Sequence, residues 1–192
     1  MGETIDVVDP AGLMLTLRLD LVSAERVEGT VVAERVHNPE PVARIVIAIA
    51  HLPAAALELV LSRCTEAGAS AFQIIQADRS VARGSKPERW RTICREAAML
   101  AGRLAVPEVL GPSSLDDVVG LSENPVMLSR SAPILLADLP EPQNLTLLVG
   151  PEGGWSEREL AMVQVQATLG PRNLRADTAA LVALATALAR RP

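Results

Sequence analysis

Leu147-Leu148-Val149-Gly150-Pro151-Glu152-Gly153-Gly154-Trp155-Ser156 joins three kinds of sequence in one short stretch. The aliphatic start reads as a buried strand and the glycines and proline as a tight turn. Ser156 with Glu159 then forms a capping box that opens a helix of about three turns. Ligands of α/β proteins bind beyond such strand ends, where glycines let main-chain groups approach a ligand that a Cβ would hold off. The turn matches neither GxGxxG nor the GxxxxGKS/T phosphate pattern, so taken alone it reads equally well as a tight connection.

Upstream, the same alternation of strand and helix recurs. Arg44 to Ala50 is almost wholly aliphatic, as in a buried parallel strand, and Pro53 suits the first turn of the helix that follows. Leu57, Val60, Leu61 and Cys64 keep helical spacing up to a stop at Gly68. Ala71 to Gln76 is the next strand and Pro87 to Arg103 the next helix. Ser113-Ser114 opens a short helix ending near Gly120, Val126 to Ser129 is a short apolar run, and Ile134-Leu135-Leu136 fits no pattern. Downstream, Asp177 can cap a last helix with the stripe Leu181, Leu184 and Leu188. This order predicts an α/β domain with a mostly parallel sheet flanked by helices.

The first 36 residues belong to another class. Leucines at 13, 15, 17, 19 and 21 alternate with Met14, Thr16, Arg18 and Asp20, the period of a strand with one buried face. Asp9-Pro10-Ala11-Gly12 is a turn, and a third strand covers Gly29 to Val36. Three strands have little of their own to pack against. Pro39 and Pro41 then make His37 to Pro41 a linker. The chain therefore divides into a small β subdomain with its linker, residues 1–40, and a main domain, residues 41–192.

Hydrophobic residues make up 49% and charged ones 21% of the 192 residues, as in globular proteins. There is no run of eighteen apolar residues, and Met1-Gly2-Glu3-Thr4 lacks the basic and apolar parts of a secretion signal, which predicts a cytoplasmic protein without a membrane span. Cys64 and Cys94 have no metal-site spacing and read as reduced core residues, and no bound metal is expected. His37 belongs to the linker and His51 follows a buried strand, while Trp90 and Trp155 read as packing residues rather than base-stacking ones. The net charge of −5 is unusual for a nucleic-acid binder. Yet between Arg79 and Arg103 seven basic residues face two acidic ones, a local +5 that leaves −10 for the remainder. That segment either guides a polyanion to one face or is a solvated helix and loop.

The glycine turn gains specificity from Leu169-Gly170-Pro171-Arg172-Asn173-Leu174-Arg175-Ala176-Asp177-Thr178-Ala179 near the end of the chain. Together the two stretches resemble the RsmE family of 16S ribosomal RNA uridine-N3 methyltransferases, whose members carry a GPEGG turn and a pattern close to LGPRILRTETA. GPEGG is matched in full; the second motif departs at Asn173, Ala176 and Asp177. Thr65-Glu66-Ala67-Gly68, Arg79-Ser80, Glu88-Arg89-Trp90, Glu96-Ala97-Ala98, Gly102-Arg103 and Val106-Pro107-Glu108-Val109 extend the likeness over residues 44 to 190.

The resemblance implies a SPOUT domain with a trefoil knot, a rare exception to the rule against threaded chains. It implies S-adenosylmethionine as cofactor, held by Leu128, Ser129, Val149, Gly150, Pro151, Glu152, Gly153 and Gly154 on one side and by Leu169, Gly170, Leu174 and Arg175 on the other. It implies small-subunit ribosomal RNA, or the assembled subunit, as partner, and a homodimer paired through the long helix and the last one. Three residues are candidates for catalysis. Arg175 either stabilises charge on the uracil oxygens or braces the knot, Glu152 either accepts the ring proton or anchors its loop, and Thr178 orients the loop or the base.

Several RNA-side features depart from the pattern. Residues 1 to 36 look like the second half of a PUA-like barrel whose first strands would precede Met1. His51 stands where the family usually has lysine, and Met99-Leu100-Ala101 replaces a polar EQS-like segment. A competing reading is therefore a catalytically weak SPOUT protein that binds cofactor or RNA without methylating it. A third, an unrelated nucleotide-binding α/β domain, would predict binding of ATP or NAD.

Overall fold

The computed structural model describes residues 2–9, 11–140 and 143–189. Met1, and Pro10 of the expected first turn, lie outside the described residues; within that turn the Gly12 amide donates to the Asp9 carbonyl at 2.9 Å.

Strands β1 (Thr4–Asp9), β2 (Leu13–Val22) and β3 (Val27–Val36) form an antiparallel meander. The alternation along β2 is present, but its leucine face is not the buried one: Leu13 to Leu19 are half-buried, Leu21 is exposed, and Met14 is the one buried hydrophobic residue of the described meander. The physical reason is that little of the main domain lies over this sheet. One tie between them is His37, whose Nε2 lies 2.7 Å from the Gly102 carbonyl oxygen.

From residue 44 the chain builds a six-stranded parallel sheet. Its strands are β4 (Arg44–Ala50), β5 (Ala71–Gln76), β6 (Glu108–Ser114), β7 (Pro125–Leu128), β8 (Asn144–Val149) and β9 (Gln166–Ala167), in the order β6-β5-β4-β8-β7-β9. The chain lays strands outward from β4 on one side, then crosses to fill the other, so β4 and β8 flank the point where the order reverses. In open parallel sheets ligands bind in the crevice beyond such a point; here the cleft is displaced to the β8 side of it, beyond β8, β7 and β9.

Helices α1 (Ala54–Glu66) and α2 (Pro87–Leu100) pack together, and α5 (Ala176–Ala189) packs against α1, β4 and β8. Ile45, Ile47, Ile49, Leu57, Leu61, Phe72, Ile74 and Leu147 form the core on that face. Ala48, Ala50, Ile75, Met127, Leu148 and Trp155 form a second core on the other.

Element boundaries differ from the expected ones where side chains redirect the backbone. α2 ends at Leu100 rather than Arg103, because Arg103 turns inward and donates to the carbonyls of Thr65 and Ala69 at 2.9 and 2.8 Å, where α1 ends. Its guanidinium, with a side chain 5% exposed, pairs with Glu40 at 2.6 Å. Gly68 is required here by space as well as by its φ of +104°, since a Cβ would fall 2.7 Å from Pro41 Cγ.

The Ser156–Glu159 capping box forms as expected, but α4 spans only Glu157–Ala161. The Gln166 side-chain Nε2 donates to the Leu160 carbonyl at 2.8 Å, where the chain leaves α4 for β9. Asp177 lies in the first turn of α5 and not at its cap. On that helix the buried residues are Ala176, Ala180, Ala183, Leu184 and Ala187; Leu181 and Leu188 are only half-buried, because alanines allow the closest approach to the sheet. α3 (Leu115–Leu121) is capped by Ser114, whose Oγ accepts from the Asp117 amide. Strand β6 is absent from the expected order, because Gly111-Pro112 interrupts its pattern; proline is tolerated there because β6 is an edge strand. The Ile134 to Leu136 region supplies a bridge from Leu135 to Thr168 and a 3-10 turn at Leu136–Asp138.

Cys64 and Cys94 are buried free thiols, and burial pushes the Cys64 thiol up to about 12. No helix among the described residues is long and apolar enough to cross a membrane, and these residues contain no cluster of metal-ligating side chains.

Candidate functional site

The C-terminal ends of β7, β8 and β9 open into one cleft of about 540 Å³. Each strand contributes the loop that follows it. β8 supplies Val149 to Trp155, β7 supplies Leu128 to Ser131, and β9 supplies Thr168 to Gly170, with Arg172 to Ala176 completing the wall. All twelve residues expected at the cofactor line it, from Leu128 and Ser129 through Val149–Gly154 to Leu169, Gly170, Leu174 and Arg175.

The glycine turn is held from both sides. The Gly154 amide donates to the Pro151 carbonyl at 2.8 Å. Trp155 folds back under the turn, its Nε1 donating to the Leu128 carbonyl at 3.1 Å and its ring buried, as a packing residue should be. A Cβ on Gly150 would lie 3.0 Å from the Trp155 ring atoms Cε2 and Nε1, so any larger residue would have to push against the indole. At Gly154 and Gly170, with φ of +69° and +102°, a Cβ would meet no protein atom within 4 Å. The backbone there faces open space.

A second layer of contacts reaches the turn from the loop after β5. Arg79 Nη1 donates to the Gly153 carbonyl at 2.8 Å. Glu159, fully buried, accepts from the Asp78 amide at 2.8 Å and from the Ser156 amide at 2.8 Å, and Ser156 Oγ donates to the Asp78 carboxylate. Arg158 pairs with Asp78 at 2.8 Å; hydrogen bonds from Arg158 and Ser156 hold the Asp78 carboxyl below the usual carboxylate range.

Of the three residues expected in catalysis, Glu152 and Arg175 line the cleft and Thr178 does not. Thr178 is exposed on α5, where its amide donates to the Asp177 carboxylate at 2.8 Å. Arg175, its side chain 75% exposed, lies 3.8 Å from the same carboxylate. Glu152 is exposed and has no hydrogen-bond partner among the described residues. Lining residues beyond the expected set include Arg130, Ser131, Trp155, Thr168, Arg172 and Asn173. Of these, Arg172 and Asn173 lie inside the second motif, whereas Arg130 carries no sequence signal beyond its closeness to Ser129.

The basic segment from Arg79 to Arg103 is not a free patch. Arg79 is bonded to Gly153, Arg83 donates to the carbonyls of Ser80 and Ala82, Arg89 pairs with Glu58, Arg91 with Glu88, and Arg103 is buried against Glu40. Lys86 and Arg95 stay exposed. His51 is buried against Trp90, ring centroids 6.1 Å apart, and burial holds its imidazole below the ordinary value. Its Nδ1, Gln76 Nε2 at the end of β5 and Ser80 Oγ in the loop that follows are buried without a hydrogen-bond partner among the described residues.

Residues 38–188 match the model of a family described as an RNA methyltransferase domain. The chain is 33% identical to the ribosomal RNA small subunit methyltransferase E of Synechocystis, over 96% of this chain and 65% of that protein. It is 32% identical to the protein of the same name from Bacillus subtilis, over 95% of this chain and 80% of that one. It thus spans just under two thirds of the first relative's length and four fifths of the second's. Among solved structures, a ribosomal RNA small subunit methyltransferase E from Neisseria gonorrhoeae bound to S-adenosyl methionine superposes with a TM-score of 0.86 at 28% identity, covering 96% of this chain and 81% of that one.

Proposed function

The chain belongs to the ribosomal RNA small subunit methyltransferase E family, and from that footing we propose that it transfers the methyl group of S-adenosylmethionine to N3 of a uridine in 16S ribosomal RNA. The observation that carries this reading is that both motif loops, Gly150–Gly154 and Leu169–Arg175, line one cleft. Its size suits a nucleoside-sized cofactor. The open backbone at Gly154 and Gly170 leaves room that any side chain would fill. The residues present therefore fit the cofactor: main-chain groups of Val149 to Gly154 and of Leu169 and Gly170 would hold the adenosine moiety, with Leu128, Ser129 and Leu174 closing over it.

When bound, S-adenosylmethionine supplies an electrophilic methyl on its sulfonium sulfur. The new bond forms from uracil N3 to that carbon, the carbon–sulfur pair returns to sulfur, and the N3 proton must go to a base. Alignment of the reacting atoms provides much of the acceleration. Arg175 holds positive charge where the uracil oxygens become more negative. Glu152, an exposed carboxylate at the cleft, accepts the ring proton. Thr178 acts through the loop, fixing the Asp177 carboxylate that lies beside Arg175.

The same reading takes residues 1–40 as a partial PUA-like subdomain with its linker and 41–192 as a SPOUT domain. The reading includes a trefoil threading of the chain, with α5 packed on β4 and β8 after the Leu169–Arg175 loop. The enzyme works in the cytoplasm as a homodimer, with α2 and α5 as the pairing helices. Exposed Met99 and Leu100 at the end of α2 favour that contact.

The test is a radiolabelled methyl-transfer assay on small ribosomal subunits that lack the native modification, with mass spectrometry to locate the product. Methyl-3-uridine in the small-subunit RNA is the expected result. Cofactor binding without transfer would overturn the enzymatic reading.

A further inference from the structure

Phosphate neutralisation supplies much of the affinity of nucleic-acid binders, yet this chain carries a net −5, and the basic segment on α2 and the loop before it is largely engaged in its own hydrogen bonds and ion pairs. The cleft is different. Its charged lining residues are Arg130, Arg172, Arg175 and Glu152, a local +2 that leaves −7 for the remainder. Arg130 and Arg172 are exposed, and neither has an ion pair among the described residues. They stand on loops that follow β7 and β9, strands hydrogen-bonded to each other, and both line the cleft. The glycine turn follows β8, on the other side of β7.

We infer that Arg130 and Arg172 hold the backbone phosphates flanking the target nucleotide, so that RNA docks at the mouth of the cofactor cleft through these two side chains. The inference rests on RNA being the substrate. Guanidinium suits phosphate because it stays charged and its planar fork matches phosphate oxygens in pairs. A local excess of positive charge at the cleft of an acidic body also directs the polyanion there. Because phosphates carry no sequence information, these contacts set position and register and leave base choice to the cleft.

The experiment measures binding of a short uridine-containing single-stranded RNA across a potassium chloride series, with calorimetry of S-adenosylmethionine in parallel. Each lost phosphate contact lowers the slope of log affinity against log salt by about 0.7 for single strands. Arg130→Gln and Arg172→Gln should each show that loss with cofactor affinity unchanged. Arg130→Lys and Arg172→Lys should recover most of the slope, while Lys86→Gln and Arg95→Gln, exposed cations outside the cleft, should leave it intact. An unchanged slope in both glutamine variants overturns the proposal. So does loss of cofactor affinity with the slope preserved, which would assign these arginines to the cofactor's carboxylate. Methyl transfer by the wild-type protein is scored separately, so a failed proposal with active enzyme is distinct from a protein that methylates no RNA.

Discussion

Arg79 Nη1 donates to the carbonyl oxygen of Gly153 at 2.8 Å, which ties the loop after β5 to the outer arm of the glycine turn. The two segments are 74 residues apart in sequence, so the tie is tertiary and belongs to the shape of the cleft. Arg79→Ala removes it from an exposed position. The expected cost is about 1 kcal/mol, roughly a fivefold loss of cofactor affinity by calorimetry, with the melting temperature little changed. An equal loss in stability and none in affinity would show that the bond braces the fold and not the site.

Arg103 and Glu40 should matter for stability. Arg103 is buried and donates to two carbonyls at the end of α1 as well as to Glu40. Arg103→Ala leaves a carboxylate and two carbonyls without their cation, and about 3–5 kcal/mol of unfolding free energy should be lost in urea titration.

Acid should act through the same pair. Burial alone would raise the Glu40 pKa, but the Arg103 hydrogen bonds and charge and the amides of Ala105 and Leu104 outweigh it, and the net shift is downward. A carboxylate depressed in the folded state gives stability that is fully present above its unfolded value near 4.5 and lost as pH falls through the folded value. Wild-type protein should therefore lose stability below about pH 4.5, and Glu40→Gln should flatten that part of the profile. A Glu40→Gln profile as steep as the wild type's would place the acid sensitivity elsewhere.

His51 gives the corresponding test nearer neutrality. Burial is the main cause of its lowered pKa, with Arg83 acting in the same direction and Gln76 against it. The unfolded chain takes up a proton near the ordinary imidazole value of 6.5 that the folded one resists, so stability is full above that pH and falls below it. His51→Gln should remove the slope that begins below about pH 6.5 in thermal melts. Persistence of the slope would mean that the ring reaches solvent.

Much of this architecture is legible where residue pattern and burial coincide. Ala71–Gln76 is a short, largely apolar run and forms β5 as expected. Ser156 and Glu159 announce their capping box because each half satisfies an amide of the other. What escapes a sequence reading is decided by partners distant in the chain. Nothing local says that Arg103 will turn away from its helix, since the carbonyls that draw it belong to residues 65 and 69. Strand β9 is two residues long and exists only because β7 offers an edge. The cleft residues of the two motifs are legible through their resemblance to a family pattern, since the glycine turn alone reads equally well as a tight connection. Arg130 is not, because its place depends on which loop lies across from it.

Gly150→Ala separates the two reasons for a glycine in the turn. A Cβ at Gly150 lies 3.0 Å from two ring atoms of Trp155, and that ring is buried and fixed by its bond to the Leu128 carbonyl. Neither the indole nor β7 can yield cheaply, so the variant should lose about 1–3 kcal/mol of stability, the range for overpacked cores. Because Leu128 and Trp155 both line the cleft, cofactor affinity should drop in the same variant. Gly153→Ala is the control: its Cβ meets only Arg79 Cβ and Cδ at 3.4 and 3.5 Å, ordinary contacts with a side chain that can shift. It should melt like the wild type and bind cofactor within a few-fold. If the two variants behave alike, the constraint at Gly150 comes from the ligand side of the turn and not from the indole beneath it.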